Sequence, residues 1–139
     1  HRSIGLFISE LTGIRDSDFV NSDEDYSKMK SEVDHIFKTC HLPIFIAHNG
    51  NRFDHNIMMH RGFIDFDLCK FLDSREIISS CSEIKNLYNK KLGEIYKILF
   101  NREKQNIHRA SSDTEMIIEI LNQLNIYKKD ILKFQKSIK

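Results

Sequence analysis

The segment spanning residues 44–54 constrains the fold more than any other part of the chain. It opens with four apolar residues after Pro43, a pattern that predicts a short buried strand. His48, Asn49 and Gly50 follow and predict a tight turn, because Asn and Gly tolerate backbone angles that other residues resist. The strand is therefore expected to end abruptly, with a change of chain direction after it.

A helix is expected directly after this turn. Asn51 is a candidate N-cap, the apolar residues that follow recur at helical spacing as far as His60, and Gly62 is a typical helix end. Asp54 would then lie in the first helical turn, next to the carboxyl end of the strand. Open α/β sheets bind ligands at that edge, and a carboxylate there suits the helix dipole and can hold a cation.

The rest of the chain predicts several helices and one more strand. Residues 3–19 have no clear pattern, so a broken strand and a helical turn both stay open there. The other predicted elements are a helix over 22–40, a strand over 68–72, a short helix from an Asp73–Ser74 cap to Ile78, helices within 84–100 interrupted near Asn89, a helix over 110–124 and a helix over 131–138. The expected fold class is α/β, with helices flanking a sheet.

Composition indicates one ordinary globular domain over residues 1–139. Apolar residues make up 40% of the chain and charged residues 29%, and no apolar run reaches the length of a membrane span. Three cysteines without a CxxC spacing argue against a disulfide framework and for a reducing, intracellular location, cytoplasmic or nuclear. The same spacing disfavours a zinc site.

The near-neutral net charge of +1 hides an asymmetry between the two halves. Residues 1–80 carry four more acidic than basic side chains, and residues 81–139 carry five more basic than acidic ones. A basic second half would suit a polyanionic partner, but solvated helix faces give the same count.

A second informative segment runs from His108 to Asp113. Imidazole exchanges protons near neutral pH and a carboxylate holds hard cations, so the pair could serve one cleft. That requires a turn before the helix, which Ser111 and Ser112 would favour as caps. The alternative is an exposed histidine followed by an acidic first-turn residue that only stabilises the helix.

The two segments together resemble motifs of the DEDDh 3′–5′ exonucleases. Asn49-Gly50-x-x-Phe53-Asp54 resembles the second motif of that family and His108-x-Ala110-x-x-Asp113 the third, in the same order along the chain. The sequence Ala47-His48-Asn49-Gly50 is most similar to that of the three-prime repair exonuclease branch. The resemblance implies a ribonuclease H-like fold with a mixed sheet flanked by helices.

The resemblance also implies a reaction, namely two-metal hydrolysis of the terminal phosphodiester of a DNA 3′ end, with RNA as the alternative. By position, Asp54 and Asp113 would be ligands of two Mg²⁺ or Mn²⁺ ions, and His108 the general base. His48, Asn49 and Gly50 would lie against the terminal nucleotide. The interpretation includes Arg109 as a phosphate contact and places the Phe53 ring in the core.

One expected motif has no counterpart in this sequence. The family's first motif is Asp-x-Glu on the first strand, and Glu10 has no carboxylate two residues before it. We therefore expect this chain to be the C-terminal part of a longer exonuclease that lacks the first strands, and to be inactive alone. The competing interpretations are a nucleic-acid-binding module without catalysis and an unrelated α/β domain, although no glycine-rich phosphate loop supports the latter.

Overall fold

The computed structural model describes residues 6–12, 14–19, 22–63, 69–105, 108–131 and 133. Within these ranges helices alternate with two short strands. The helices are α1 Leu6–Thr12, α2 Ser22–Thr39, α3 Asp54–His60, α4 Ser74–Ser79, α5 Leu92–Phe100, α6 Ala110–Gln123 and α7 Lys128–Ile131, the strands are β1 Ile44–Ala47 and β2 Lys70–Asp73, and Asp16–Phe19 forms a 3-10 turn. The α/β class predicted from the sequence is confirmed.

The two strands are parallel and pair in register. Ile44 lies opposite Lys70 and Ala47 opposite Asp73, with α3 in the connection between the strands. Parallel pairing brings both carboxyl ends to one edge, so the turn after Ala47 lies next to the end of β2. Among the described residues the sheet has only this parallel pair, so the expected mixed sheet is not seen there.

Side chains that alternate along the strands serve two apolar layers. Ile44, Ile46 and Leu72 pack into the main core with α4, α5 and α6, whereas Phe45 and Phe71 point to the opposite layer. The buried residues of the main core are Leu72, Ile77, Ile78, Ile84, Leu92, Ile95, Tyr96, Met116, Ile117, Ile120 and Leu121. Both faces of the sheet are therefore covered, as parallel strands require.

Helix α2 and the end of α3 cover the second layer. Phe63 and Cys69 are buried there, and the Tyr26 ring lies 4.8 Å from the Phe63 ring. The Tyr26 hydroxyl donates a 2.8 Å hydrogen bond to the carbonyl of Arg61. Because this carbonyl lies just beyond α3, the bond ties α2 to the end of α3, where Gly62 has a φ of 68° and ends the helix as predicted.

A cluster of polar side chains holds the segment that follows α5 against α6. Glu119 accepts hydrogen bonds from the Tyr96 hydroxyl at 2.5 Å and the Lys104 ammonium at 2.6 Å. The hydrogen bond from Lys104 lowers the pKa of the Glu119 carboxyl, and the bond from Tyr96 adds to the effect. The segment that leads towards His108 is thus held close to α6 before the third motif begins.

Several predicted boundaries need correction. Residues 84–88 are not helical, since Ile84 and Leu87 close successive turns through hydrogen bonds to Cys81 and Ile84. Strand β2 runs from Lys70 to Asp73, and residue 68 lies outside the described residues. Most of the helix predicted over 131–138 also lies outside them, whereas α7 ends at Ile131.

Two findings bear on the environment of the protein. No helix in the described ranges has the length and apolar character needed to cross a membrane. Cys40, Cys69 and Cys81 form no disulfide with one another, and burial raises the pKa of Cys81.

Candidate active site

Asp54, Asp113 and His108 line one cavity of about 760 Å³ at the carboxyl edge of the sheet, which we call the carboxylate cavity. Asp54 is the first residue of α3 and Asp113 lies in the first turn of α6. The remaining lining residues are Ile14, Ile46, Ala47, His48, Asn49, Phe53, Lys91, Leu92, Gly93, Ala110, Thr114, Met116 and Ile117. Three groups that are far apart in the sequence therefore face a single hollow.

The loop between β1 and α3 is held by one buried carboxylate. Asp73 Oδ1 accepts hydrogen bonds from the backbone N–H of Asn49 at 2.8 Å and of Arg75 at 2.9 Å, and Oδ2 accepts from the N–H of Asn51 at 3.3 Å. Asp73 is the predicted cap of α4, and it also fixes the loop that leads to Asp54. Asn49 can follow this path because Asn tolerates its φ of 60°.

His48 is bonded inside the protein through both ring nitrogens. Nε2 lies 2.9 Å from the carbonyl of Lys90, to which it must donate, so Nδ1 accepts from the Ser74 hydroxyl at 3.1 Å. Burial lowers the pKa of His48, although the Lys90 carbonyl and the charge of Asp73 act in the opposite direction. The neutral imidazole thus links the end of β1 to α4 and to the segment before α5.

Gly50 is a glycine because the space beside it is already filled. A Cβ at this position would lie 2.8 Å from the Cβ of Ala47 and 2.8 Å from two ring atoms of His55. The His55 ring is 5% exposed and lies 4.8 Å from the Phe71 ring. The close contact with Ala47 and His55 therefore explains why residue 50 is a glycine. Contact between Gly50 and a nucleotide stays a prediction.

The predicted role of Asn51 as a helix cap is wrong. Helix α3 begins three residues later with Phe53 as N-cap, and no side chain caps it. The Asn51 carboxamide is occupied elsewhere, since Oδ1 lies 3.2 Å from His55 Nδ1 and Nδ2 donates to Glu76 at 3.3 Å. Asn51 therefore braces the loop from within.

The expected burial of Phe53 is also wrong. Its side chain is 59% exposed and lines the carboxylate cavity. The reason is geometric, because the turn of residues 50–53 places Phe53 at the N-cap, one residue before the helix that was expected to contain it. Asp54 follows it, exposed, and makes no hydrogen bond or ion pair with the described side chains.

The third motif is organised by Asp113 itself. Asp113 Oδ1 accepts a 3.2 Å hydrogen bond from the backbone N–H of His108, whose φ is 70°. Ser111 and Ser112 are not caps, because α6 already begins at Ala110 and both serines lie in its first turn. Arg109 is the N-cap without a side-chain cap bond, is exposed and is not among the residues that line the cavity.

The donor set of the cavity suits a hard divalent cation. Asp54 and Asp113 supply carboxylate oxygens, and neither is neutralised by a lysine or arginine among the described residues. Mg²⁺ is commonly bound through one or two carboxylates while it keeps several waters. Across the described ranges, however, no group of three or more His, Cys, Asp or Glu side chains converges closely enough to form a complete metal site.

Sequence patterns missed two contributors to this region. Asp73 was expected only to cap α4, since its bonds to residues 24 and 22 positions earlier are invisible to local patterns. Ile14 lines the carboxylate cavity although the segment around it had no clear assignment. The presence of Asp73 at the carboxyl end of a predicted strand was the available signal.

Comparison with known proteins identifies the family of this chain. The RNase T exonuclease family model matches residues 1–121. An uncharacterised exonuclease of Acanthamoeba polyphaga mimivirus, R569, is 31% identical over 128 residues, which cover 89% of this chain and 38% of the viral protein. The chain thus spans well under half the length of this relative. Since the family model covers most of the sequence, including both motifs, the chain belongs to the RNase T exonuclease family.

Proposed function

We propose that the protein is a metal-dependent 3′–5′ exonuclease that removes nucleotides from the 3′ ends of DNA, with RNA as the alternative substrate. The observation that carries this proposal is the meeting of Asp54, Asp113 and His108 in one cavity at the carboxyl edge of the sheet. Family membership supplies the hydrolytic class. The 3′–5′ direction of cleavage is inferred from the family resemblance. On the same ground we treat residues 1–139 as one exonuclease-like domain.

The two carboxylates are the proposed metal ligands. Asp54 and Asp113 would hold Mg²⁺ or Mn²⁺, and they supply two of the four carboxylates that a two-metal site of this kind uses. When bound, the metal ions stabilise the charge that develops on the attacking and departing oxygens. The lack of a cationic partner for either aspartate is consistent with this role, because two unpaired carboxylates sharing a cavity attract a cation.

His108 is the proposed general base. It is exposed, lines the cavity and lies directly before the helix that carries Asp113. Its backbone bond to Asp113 fixes its position relative to one proposed metal ligand. An imidazole so placed can take the proton of the attacking water and pass it to solvent.

The substrate contacts follow from the walls of the cavity. Asn49 lines it together with the two carboxylates, and the exposed Phe53 ring offers a surface on which a terminal base can stack. His48 and Gly50 shape the loop next to Asn49, and Arg109, which is exposed and does not line the cavity, is the proposed contact to a substrate phosphate. The intracellular location inferred from the cysteines is compatible with nucleic acid as substrate.

The experiment uses the protein expressed from its complete reading frame and a single-stranded oligonucleotide labelled at its 5′ end. We expect a ladder that shortens from the 3′ end, only with Mg²⁺ or Mn²⁺, and no ladder when the 3′ end is blocked. Asp113→Asn and Asp54→Asn should each lower the rate at least about 10³-fold, and His108→Ala about 10²-fold or more.

Asp34→Asn on α2 is the matched control, because it removes a carboxylate from an exposed ion pair with Lys30 and Asp34 does not line the carboxylate cavity. It should keep the wild-type rate. Undiminished trimming by Asp113→Asn would refute the ligand assignment, and cleavage of the 3′-blocked strand would refute the direction.

A second candidate function is nucleic-acid binding without hydrolysis. The observation that favours it is the lack of a three-ligand metal group among the described residues. The same protein would then bind labelled oligonucleotides but leave them intact with every divalent metal. Isothermal titration with Mn²⁺ separates the two, since only the exonuclease should lose Mn²⁺ affinity on Asp54→Asn.

A further inference from the structure

A second cavity adjoins the carboxylate cavity on the other side of Asn49. It has a volume of about 490 Å³ and we call it the basic groove. Its lining residues are His48, Asn49, Arg75, Tyr88, Asn89, Lys90 and Lys91. His48, Asn49 and Lys91 also line the carboxylate cavity, so the two hollows share part of their walls.

The two hollows carry opposite charge. Arg75, Lys90 and Lys91 line the basic groove, whereas no carboxylate lines it. None of these three cations forms an ion pair with another described residue. The field of Arg75 reaches His48, where it opposes protonation and adds to the lowering of the pKa that burial causes. Three cations without an ion-pair partner thus line the groove, and Lys91 lies at its border with the carboxylate cavity.

The backbone of the groove is fixed to the same residues that hold the site. The Lys90 carbonyl accepts the hydrogen bond from His48, and the Lys91 N–H donates to Asn89 Oδ1 at 3.1 Å. On the opposite wall, the Arg75 N–H donates to Asp73. Both walls are therefore positioned by the residues that position the loop before Asp54.

An unpartnered aromatic ring stands at this groove. Tyr88 is fully exposed, at 103% of its reference area, and its ring contacts no other ring among the described residues. An aromatic side chain normally buries most of its surface, so full exposure beside three cations needs a cause. Cationic grooves with exposed aromatic rings are the usual means of binding single-stranded nucleic acid, with phosphates on the cations and bases on the rings.

We propose that the basic groove binds the single-stranded segment just upstream of the 3′-terminal nucleotide, with its phosphates on Arg75, Lys90 and Lys91 and one base on Tyr88. This inference rests on the proposed function, because the terminal nucleotide must lie in the carboxylate cavity. The strand then runs past Asn49 from the carboxylate cavity into the basic groove. The carboxylate cavity needs metal ions to accept a phosphate, whereas the basic groove accepts phosphates on its own cations.

The test measures binding of a fluorescein-labelled oligo-dT, and in parallel oligo-rU, by anisotropy in EDTA, where no hydrolysis can occur. The complete polypeptide and its Lys90→Ala/Lys91→Ala variant are compared over a range of salt concentrations. Alanine at position 90 keeps the carbonyl that His48 uses. We expect affinity to fall at least about 10-fold and the slope of log K against log salt to decrease by about 1.4, since each lost phosphate contact on a single strand removes about 0.7.

Tyr88→Ala and Tyr88→Phe separate stacking from hydrogen bonding. The alanine variant should bind about 10-fold more weakly with an unchanged salt slope, and the phenylalanine variant should bind like wild type. Lys28→Ala/Lys38→Ala, which removes two exposed lysines from α2, is the matched control and should change neither affinity nor slope. Equal losses in the control and in the groove variant would overturn the groove assignment.

The outcomes distinguish this inference from the proposed function. Wild-type binding and salt slope in the Lys90→Ala/Lys91→Ala and Tyr88→Ala variants, with hydrolysis intact, would overturn the groove and leave the exonuclease standing. Groove-dependent binding without hydrolysis under any divalent metal would refute the exonuclease and leave the groove standing. Tighter competition by a blunt duplex than by the single strand would overturn the single-strand assignment. Preference for oligo-dT or oligo-rU identifies the sugar of the supported ligand.

Discussion

The two segments that carry the proposed catalytic groups are held in different ways. In the loop of residues 48–53, the backbone N–H groups of Asn49 and Asn51 donate hydrogen bonds to the Asp73 carboxylate. The His48 ring at the start of the loop makes two more hydrogen bonds. The approach to α6 has one such bond, from the His108 N–H to Asp113, among the residues that the structure describes. Asp54 is thus placed by residues that take no part in the proposed chemistry, whereas His108 is placed by a proposed metal ligand.

This difference separates the consequences of mutation at the two acids. A substitution at Asp54 is expected to remove a carboxylate and leave the loop intact, because the loop is bonded through Asp73. A substitution at Asp113 removes a carboxylate and also the acceptor that holds His108. Loss of activity at Asp113 therefore combines two effects, and only variants that retain the acceptor can separate them.

The largest effect on stability is expected at Asp73. Asp73→Ala leaves three backbone N–H groups without their acceptor, at a buried position, and should lower the free energy of unfolding by about 3 kcal/mol or more. Asp73→Asn keeps one oxygen acceptor and should lose less. Urea unfolding followed by circular dichroism measures both.

Asp34→Ala provides the control for Asp73, because its ion pair with Lys30 is exposed and should contribute less than about 1 kcal/mol. Equal losses at Asp73 and Asp34 would mean that Asp73 does not hold the loop. The contrast between the two catalytic segments would then disappear.

The next largest effect is expected at Gly50. A Cβ there meets Ala47 and the buried His55 ring at 2.8 Å, so Gly50→Ala should destabilise the fold by about 1–3 kcal/mol through overpacking. Gly93→Ala is the matched control, because nothing lies within 4 Å of the added carbon and the position is helical. It should be neutral or stabilise by up to about 1 kcal/mol, as measured by thermal unfolding. Destabilisation of similar size by both changes would contradict the close-packing explanation.

The pH dependence of stability should report on His48, at the start of the first segment, and on His55, which follows it in α3. Burial lowers the pKa of His48 and of His55, so the unfolded chain binds protons more readily than the folded one. Their contribution to stability is complete above the ordinary pKa of 6.5 and decreases as pH falls from there through the lowered values.

Urea unfolding between pH 7.5 and 5 should show this decrease, and it should be smaller in His48→Gln. His35→Gln, at an exposed position on α2, should keep the wild-type profile. A profile for His48→Gln identical to wild type would show that the internal bonds of His48 do not favour its neutral form.

Local patterns in the sequence predicted the elements that depend on neighbouring residues. The span of strand β1, the end of α3 at Gly62 and the span of α6 all follow from signals within a few residues and proved correct, although the β1 side chains are partly buried where full burial was expected. Contacts between distant segments decided the remaining features. Asn51 braces the loop through Glu76 and His55 instead of capping α3, and no periodicity shows that Phe53 is exposed.

The candidate site could be predicted for the same reason only in part. The two motifs indicated which acids meet, because helix starts at the carboxyl edge of a sheet lie close together. The motifs did not indicate how the loop is held, since Asp73 reaches Asn49 across 24 residues. The basic groove likewise depends on residues 75 and 88–91, which no motif includes.

The smallest effect on stability is expected at Asp113, where it tests the contrast between the two segments most directly. Asp113→Ala removes the acceptor of the His108 N–H at an accessible position, so it should cost about 1 kcal/mol or less. Asp113→Asn retains an oxygen that can accept this bond and should cost still less. Both variants should be equally inactive if metal binding alone requires the carboxylate. Chemical shifts of the His108 backbone amide should move in Asp113→Ala and stay near wild type in Asp113→Asn. An unchanged His108 amide chemical shift in both variants would mean that other parts of the chain position His108. Neither catalytic segment would then depend on its own aspartate for its conformation.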